Sequence, residues 1–224
     1  MKQNTPETKS TIYLASTSPR RIQLLGEFGI NAIVCPQNAD EKTDKTRPQD
    51  IVVDLAKLKV ANAIATKSEN AIDIVTPQSE QANDGVLSKN EALATSSFKD
   101  SDIIIGADTI VWSGGKQYGK PKNNDVAIKF LSELAGKWHK VYTGVCVQKG
   151  QCQQVFFCKS SVRFKQLTQS EIVNYVLTKS PLDKAGAYGI QDNEVVAKYR
   201  GSYTNIVGLP MEKLCKVIRQ MEDK

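Results

Sequence analysis

A short apolar run, Ile12 to Ala15, leads directly into Ser16-Thr17-Ser18-Pro19, and this junction constrains the chain more than any other segment. A run that brief and uninterrupted reads as a buried strand. Ser18 suits a helix N-cap and Pro19 the first helical position, where a missing N–H costs nothing. Ile22, Leu25 and Phe28 then recur on one helical face, and Gly29 suits the helix end. Strand, tight turn and helix in immediate succession predict an α/β design.

The rest of the chain continues in that style. Apolar residues at Ile51, Leu55, Leu58, Ala61, Ile64 and Ala65 predict a helix over 50–66. From Lys67 to Ser101 the sequence turns to Ser, Asn, Asp, Glu and Gln without sustained periodicity. That segment reads as a mobile surface insertion, a passive loop rather than a lid. Ile103 to Ala107 reads as the next buried strand, with Asp108 where it ends. Asn123 caps a predicted helix through Leu134, stopped by Gly136. Val141 to Val147 and Val155 to Phe164 read as antiparallel neighbours joined near Gly150. Thr168 to Glu171 is a capping box opening a helix to Thr178, and a last helix spans 212–221. One domain over residues 11–224, interrupted by the insertion, is the organisation expected.

Composition narrows the function. At 224 residues the chain can bury a core without staples, and no stretch approaches the roughly 18 to 20 apolar residues that cross a bilayer. The polar N-terminus and the brevity of Ile12 to Ala15 argue against a signal peptide, so a cytoplasmic protein with no membrane partner is expected. Five cysteines, odd in number and with no C-x-x-C pair, argue against a disulfide framework and a thiolate zinc site, and a single histidine, His139, excludes multi-histidine sites. Any metal is then held by oxygen, which points to magnesium or manganese. The net charge of +6 suits a polyanionic partner. The lysines and arginines are dispersed, with no like-charge block and no aromatic-flanked RNA-binding motif, so a phosphorylated small molecule is expected and nucleic acid is not.

Four constellations suit that chemistry, though each alone also fits a structural role. In Ser16-Thr17-Ser18-Pro19-Arg20-Arg21, a helix N-terminus presents free N–H groups beside two arginines, a ready phosphate site. In Gly106-Ala107-Asp108-Thr109, a carboxylate at a strand end can bind a metal or take a proton from water. Gly119-Lys120-Pro121 offers a point charge, and Asp40-Glu41 a second carboxylate. In the stretch from Asp183 to Gln191, small residues imply close backbone approach, and Gln191 can meet a base edge.

The ordered series STSPRR (16–21), DE (40–41), GADT (106–109), GKP (119–121), HKVYTG (139–144), DKAGAYGIQ (183–191) and GSYTNIVGLP (201–210) strongly resembles the Maf family of nucleotide pyrophosphatases. The resemblance implies a mixed, twisted β-sheet with flanking helices in a two-lobed, inosine-triphosphatase-like architecture. It implies hydrolysis of a nucleoside triphosphate to monophosphate and pyrophosphate with a divalent metal, and a homodimer. By similarity, Asp108 is a metal ligand or the base that activates water, and Glu41 completes the metal site. Arg20, Arg21, Lys59 and Lys120 match cations around the triphosphate, Lys120 among the catalytic group. Ser16 and Ser18 match phosphate-binding hydroxyls, and Thr109 and Gln191 match positions beside the nucleotide. Thr109 after the aspartate resembles the branch acting on dTTP and UTP; glutamine there marks the branch acting on 7-methyl-GTP. Asp192 stands where the family usually has glycine, so that turn is expected to differ. A nucleotide-binding regulator of cell division is the rival reading, but it would not need Asp108. His139, at a strand entrance, is expected to be structural rather than the base.

Overall fold

The computed structural model describes residues 10–36, 42–66 and 98–223. Glu41 and residues 67–97 of the expected insertion lie outside them. Among the described residues the strands are β1 (Ile12–Leu14), β2 (Ala32–Val34), β3 (Ile103–Ser113), β4 (Lys116–Tyr118), β5 (Trp138–Lys149), β6 (Cys152–Phe164) and β7 (Val196–Arg200). The helices are α1 (Pro19–Glu27), α2 (Pro48–Thr66), α3 (Asn124–Leu134), α4 (Gln169–Lys179), α5 (Tyr203–Val207) and α6 (Met211–Glu222). The strands form one mixed, seven-stranded sheet in the order β2-β1-β3-β5-β6-β7, with β4 also on β3. The α/β sheet with flanking helices expected from the sequence is the fold observed.

Sheet pairing explains where a cleft opens. β1 lies parallel to β3, but only over Ile12 to Leu14 against Ile103 to Ile105. On the same edge β4 pairs antiparallel with Val111 to Ser113. Between these partners, among the described residues, no strand covers β3 from Gly106 to Ile110, which leaves a notch in the sheet. The opposite edge of β3 is fully occupied by β5, from Ile103 against Lys149 to Trp112 against Lys140. Asp108 therefore sits inside a strand, paired with Gly144, and not at a strand end. Thr109, Ile110, Val111 and Trp112 are themselves strong strand formers, and they carry β3 onward. The parallel part of the sheet does end there, however, so the edge expected to hold a ligand survives as the notch.

Two glycines let α2 lie close on one face. A Cβ on Gly144 would stand 2.2 Å from the Val52 carbonyl oxygen, and one on Gly106 would stand 2.4 Å from that of Ala56. The other face carries two apolar cores. One packs Leu24 and Leu25 of α1 and Leu214 and Ile218 of α6 on Ile105, Ala107 and Val145. The second packs Leu131 of α3 and Tyr175 of α4 on Val111, Val141 and Phe164. Where they meet, the facing pair is polar: Thr109 and Thr143, hydroxyl to hydroxyl at 3.0 Å.

Local signals were mostly sound. Asn123 caps α3 by accepting from the Val126 N–H, and Thr168 with Glu171 forms the capping box of α4. Ser18 takes the extended N-cap backbone of α1, but its hydroxyl makes no cap bond; the Ser18 N–H instead donates to Ser16 Oγ at 3.3 Å. Residue 98 departs from the expected surface insertion, because Phe98 packs its ring edge-on against Tyr13, centroids 4.7 Å apart. No helix among the described residues is long and apolar enough to cross a membrane.

Candidate active site

A cleft of about 500 Å³ fills the notch. The β1–α1 junction forms one wall, β3 the floor, and the loops at 117–120 and 183–191 the far side. Nine of the ten residues singled out from sequence are described, and all nine line this cleft: Ser16, Ser18, Arg20, Arg21, Lys59, Asp108, Thr109, Lys120 and Gln191. The tenth, Glu41, is outside the described residues.

Asp108 and Lys59 form its centre. Asp108 shares a face of β3 with Gly106, the face that α2 covers, so Lys59 on α2 reaches it directly. Lys59 Nζ donates to Asp108 Oδ1 at 2.7 Å and to the Ala107 carbonyl at 3.4 Å. Both side chains are 9% exposed. Burial on that scale makes the pair costly to form and costly to break, so it fixes the carboxylate's direction. Only one Asp108 oxygen is used in this ion pair.

Arg21 approaches from α1 and is buried. Its Nη1 donates to Ser16 Oγ at 3.0 Å, its Nε to the Gly208 carbonyl at 2.8 Å and its Nη2 to Thr109 Oγ1 at 3.1 Å. Thr143 in turn donates to the Asn205 carbonyl at 2.9 Å. This polar seam between the two cores holds the guanidinium at the cleft wall. It also commits the Thr109 hydroxyl to the protein, so Thr109 shapes the cleft more than it offers a free donor.

The rim is more exposed. Arg20 reaches across the cleft to Asp183, donating to its carboxylate and, at 3.1 Å, to its carbonyl. Lys184 donates to the other Asp183 oxygen at 2.8 Å. Burial pushes the Asp183 carboxyl up, but the bonds from Lys184 and Arg20 outweigh it and leave the group below its ordinary value. Asp183 and Lys184 open the stretch from 183 to 191 without a role read from the sequence; two adjacent charges at the start of a run of small residues were the available signal. Lys120 is exposed and makes no ion pair among the described residues. Its loop is tied to the other by the Gly186 N–H donating to the Gly119 carbonyl at 3.0 Å. Gly186 adopts φ of 72°, which a side chain would strain. Asp192 ties its turn together: its carboxylate accepts from the Gly189 N–H at 2.9 Å and from the Tyr175 hydroxyl.

Arg20, Arg21, Lys59, Lys120 and Lys184 face Asp108 and Asp183, an excess of three positive charges among the described lining residues. Such a lining favours a polyanion. Beside it, the N-terminus of α1 adds the positive end of a nine-residue helix. Among the described residues no group of three metal-binding side chains exists. The donor set nonetheless suits magnesium or manganese, which take one or two carboxylates and draw remaining ligands from water and substrate phosphates.

His139 stands outside the cleft. It is buried, with Nε2 2.8 Å from the Tyr188 hydroxyl and its ring edge-on to Phe164. Burial pushes its pKa down to about 4. Because the unfolded chain takes up this proton near pH 6.5 and the folded one only near 4, stability falls with pH across that interval. Urea titrations between pH 7 and 4 should show a loss approaching about 1 kcal/mol per pH unit that His139→Phe flattens; an unchanged slope would contradict it.

Residues 11–221 match the family described as Maf-like protein. The dTTP/UTP pyrophosphatase of Caldicellulosiruptor saccharolyticus is 37% identical over 215 residues, covering 94% of each chain. That of Lachnoclostridium phytofermentans is 38% identical, covering 93% of this chain and 94% of its own. That of Aquifex aeolicus is 33% identical, covering 94% and 95%.

Proposed function

Since this chain belongs to the Maf-like protein family, we propose that its cleft hydrolyses nucleoside triphosphates, dTTP and UTP foremost, to the monophosphate and pyrophosphate. The observation that carries this reading is the buried Asp108–Lys59 pair set against a cationic rim in one cleft. Water attack on the α-phosphorus is slowed by charge repulsion and by the weak nucleophilicity of neutral water. Asp108, oriented by Lys59, takes the water's proton. Arg20, Lys120 and the N–H groups at the start of α1 hold the phosphate chain and stabilise the charge that grows on departing pyrophosphate. Arg21, locked by Ser16 and Thr109, presents a fixed guanidinium at the wall. Ser18, whose hydroxyl is not spent on capping, is available to a phosphate oxygen, and Gln191 at the open end faces the nucleoside. A divalent ion held by Asp108, with Glu41 as second carboxylate, would neutralise phosphate charge and lower the pKa of attacking water.

With magnesium or manganese, the purified protein should release pyrophosphate from dTTP and UTP. Ion-exchange analysis of early time points decides the matter. Orthophosphate appearing first, or turnover of neither nucleotide, would refute the assignment.

A further inference from the structure

The sequence argues against nucleic acid because its cations are spread along the chain. Strand pairing undoes that dispersion. Residues directly opposite one another in a sheet share a face, and so do alternate residues along a strand. Trp138, Arg163 and Lys198 therefore form one cross-strand row of β5, β6 and β7, and Lys140, Ser161 and Arg200 form the next. Lys159 continues the same face along β6, and beyond it stands Phe157.

This face is strongly one-signed. β5, β6 and β7 contain no aspartate or glutamate. Lys140, Lys159, Arg163, Lys198 and Arg200 are all exposed, and none makes an ion pair among the described residues. Two aromatic rings lie among them on the same face, Trp138 at 37% and Phe157 at 43% exposure. Arg200 stands 5.1 Å and Lys198 5.8 Å from the Trp138 ring centre. A shallow hollow of about 270 Å³ opens beside Trp138, Lys140 and Arg200. From Phe157 to Arg163 the strand spans roughly 20 Å, a length that fits about three extended nucleotides.

We infer that the β5–β6–β7 face is a binding surface for single-stranded nucleic acid, separate from the catalytic cleft. Charge complementarity selects a polyanion, and exposed rings set among the cations supply stacking platforms that tolerate any base. An acidic polypeptide satisfies the charges but makes less of the two rings. A second copy of this chain is disfavoured, because the face would meet its own positive charge.

The test uses the full-length protein and a fluorescent oligothymidylate of about twelve nucleotides with a 5′-hydroxyl, which lacks a triphosphate for the cleft. Fluorescence anisotropy should detect binding at about 50 mM salt, with log K falling against log salt by about 2 or more, since each phosphate contributes about 0.7. Arg163→Glu/Arg200→Glu should weaken binding at least about tenfold, and the milder Arg163→Gln/Arg200→Gln should weaken it measurably, with dTTP turnover and melting unchanged in both. In a Trp112→Phe background, where Trp138 is the remaining tryptophan, the oligonucleotide should quench its fluorescence. No binding, binding indifferent to these variants, displacement by dTTP, or tighter binding of polyglutamate would each overturn the inference. The readout does not depend on catalysis, so it stands or falls apart from the pyrophosphatase reading.

Discussion

Asp108→Asn lowers the rate of pyrophosphate release by about 10²- to 10⁴-fold, the range over which a positioned proton acceptor contributes to catalysis. Asparagine keeps the shape and one oxygen for Lys59, but it cannot accept the proton and loses its charge beside a hard cation. The buried pair adds a complication. Removing one partner of such a pair leaves the other charge uncompensated, at a cost of about 3 to 5 kcal/mol in stability, so unfolding alone would also slow the variant. The double variant Asp108→Asn/Lys59→Met separates the causes. Without the stranded ammonium it should melt closer to the parent, yet remain just as inactive. Turnover near the parent's in a folded single or double variant would remove Asp108 from the chemistry.

Gly144→Ala destabilises the fold by about 3 kcal/mol or more, at the top of the usual overpacking range. The added methyl would stand 2.2 Å from the Val52 carbonyl oxygen, 2.3 Å from its carbon and 2.6 Å from the Val53 nitrogen. These are backbone atoms inside a helix, and no rotamer change moves them. α2 must lift from the sheet, carrying Lys59 away from Asp108, so activity falls with stability. For a chain of this size the melting midpoint should drop by about 6 to 12 °C in thermal denaturation followed by circular dichroism. A drop of a degree or two would mean that α2 sits less tightly than described.

Local chemistry was legible before any coordinates. The strand and helix around Ser16 to Pro19, the cap at Asn123 and the box at Thr168 depend on neighbours within a few residues, and each formed. Asp108 shows where such reading stops. Its place inside β3 depends on which strands cover which stretch of an edge, and no residue near it in sequence records that. Sequence order alone did not reveal the glycine contacts with α2, nor the seam joining Arg21 to Thr109. For the cleft, motif order did what local physics could not, bringing together residues whose individual signals were ambiguous. The basic face shows the reverse failure. A search for runs of charge misses cations that alternate along strands and meet only across them.

One consequence concerns the protein's synthesis. Arg21 donates to the carbonyl of Gly208, 187 positions later, and α6 closes the same core that α1 begins. A ribosome must therefore deliver the chain through Gly208 before the guanidinium acquires its last anchor. Nascent chains that stop short of Gly208 can form hairpins but no assembled catalyst. The cleft wall that Arg21 forms is thus completed only once residue 208 has joined the fold.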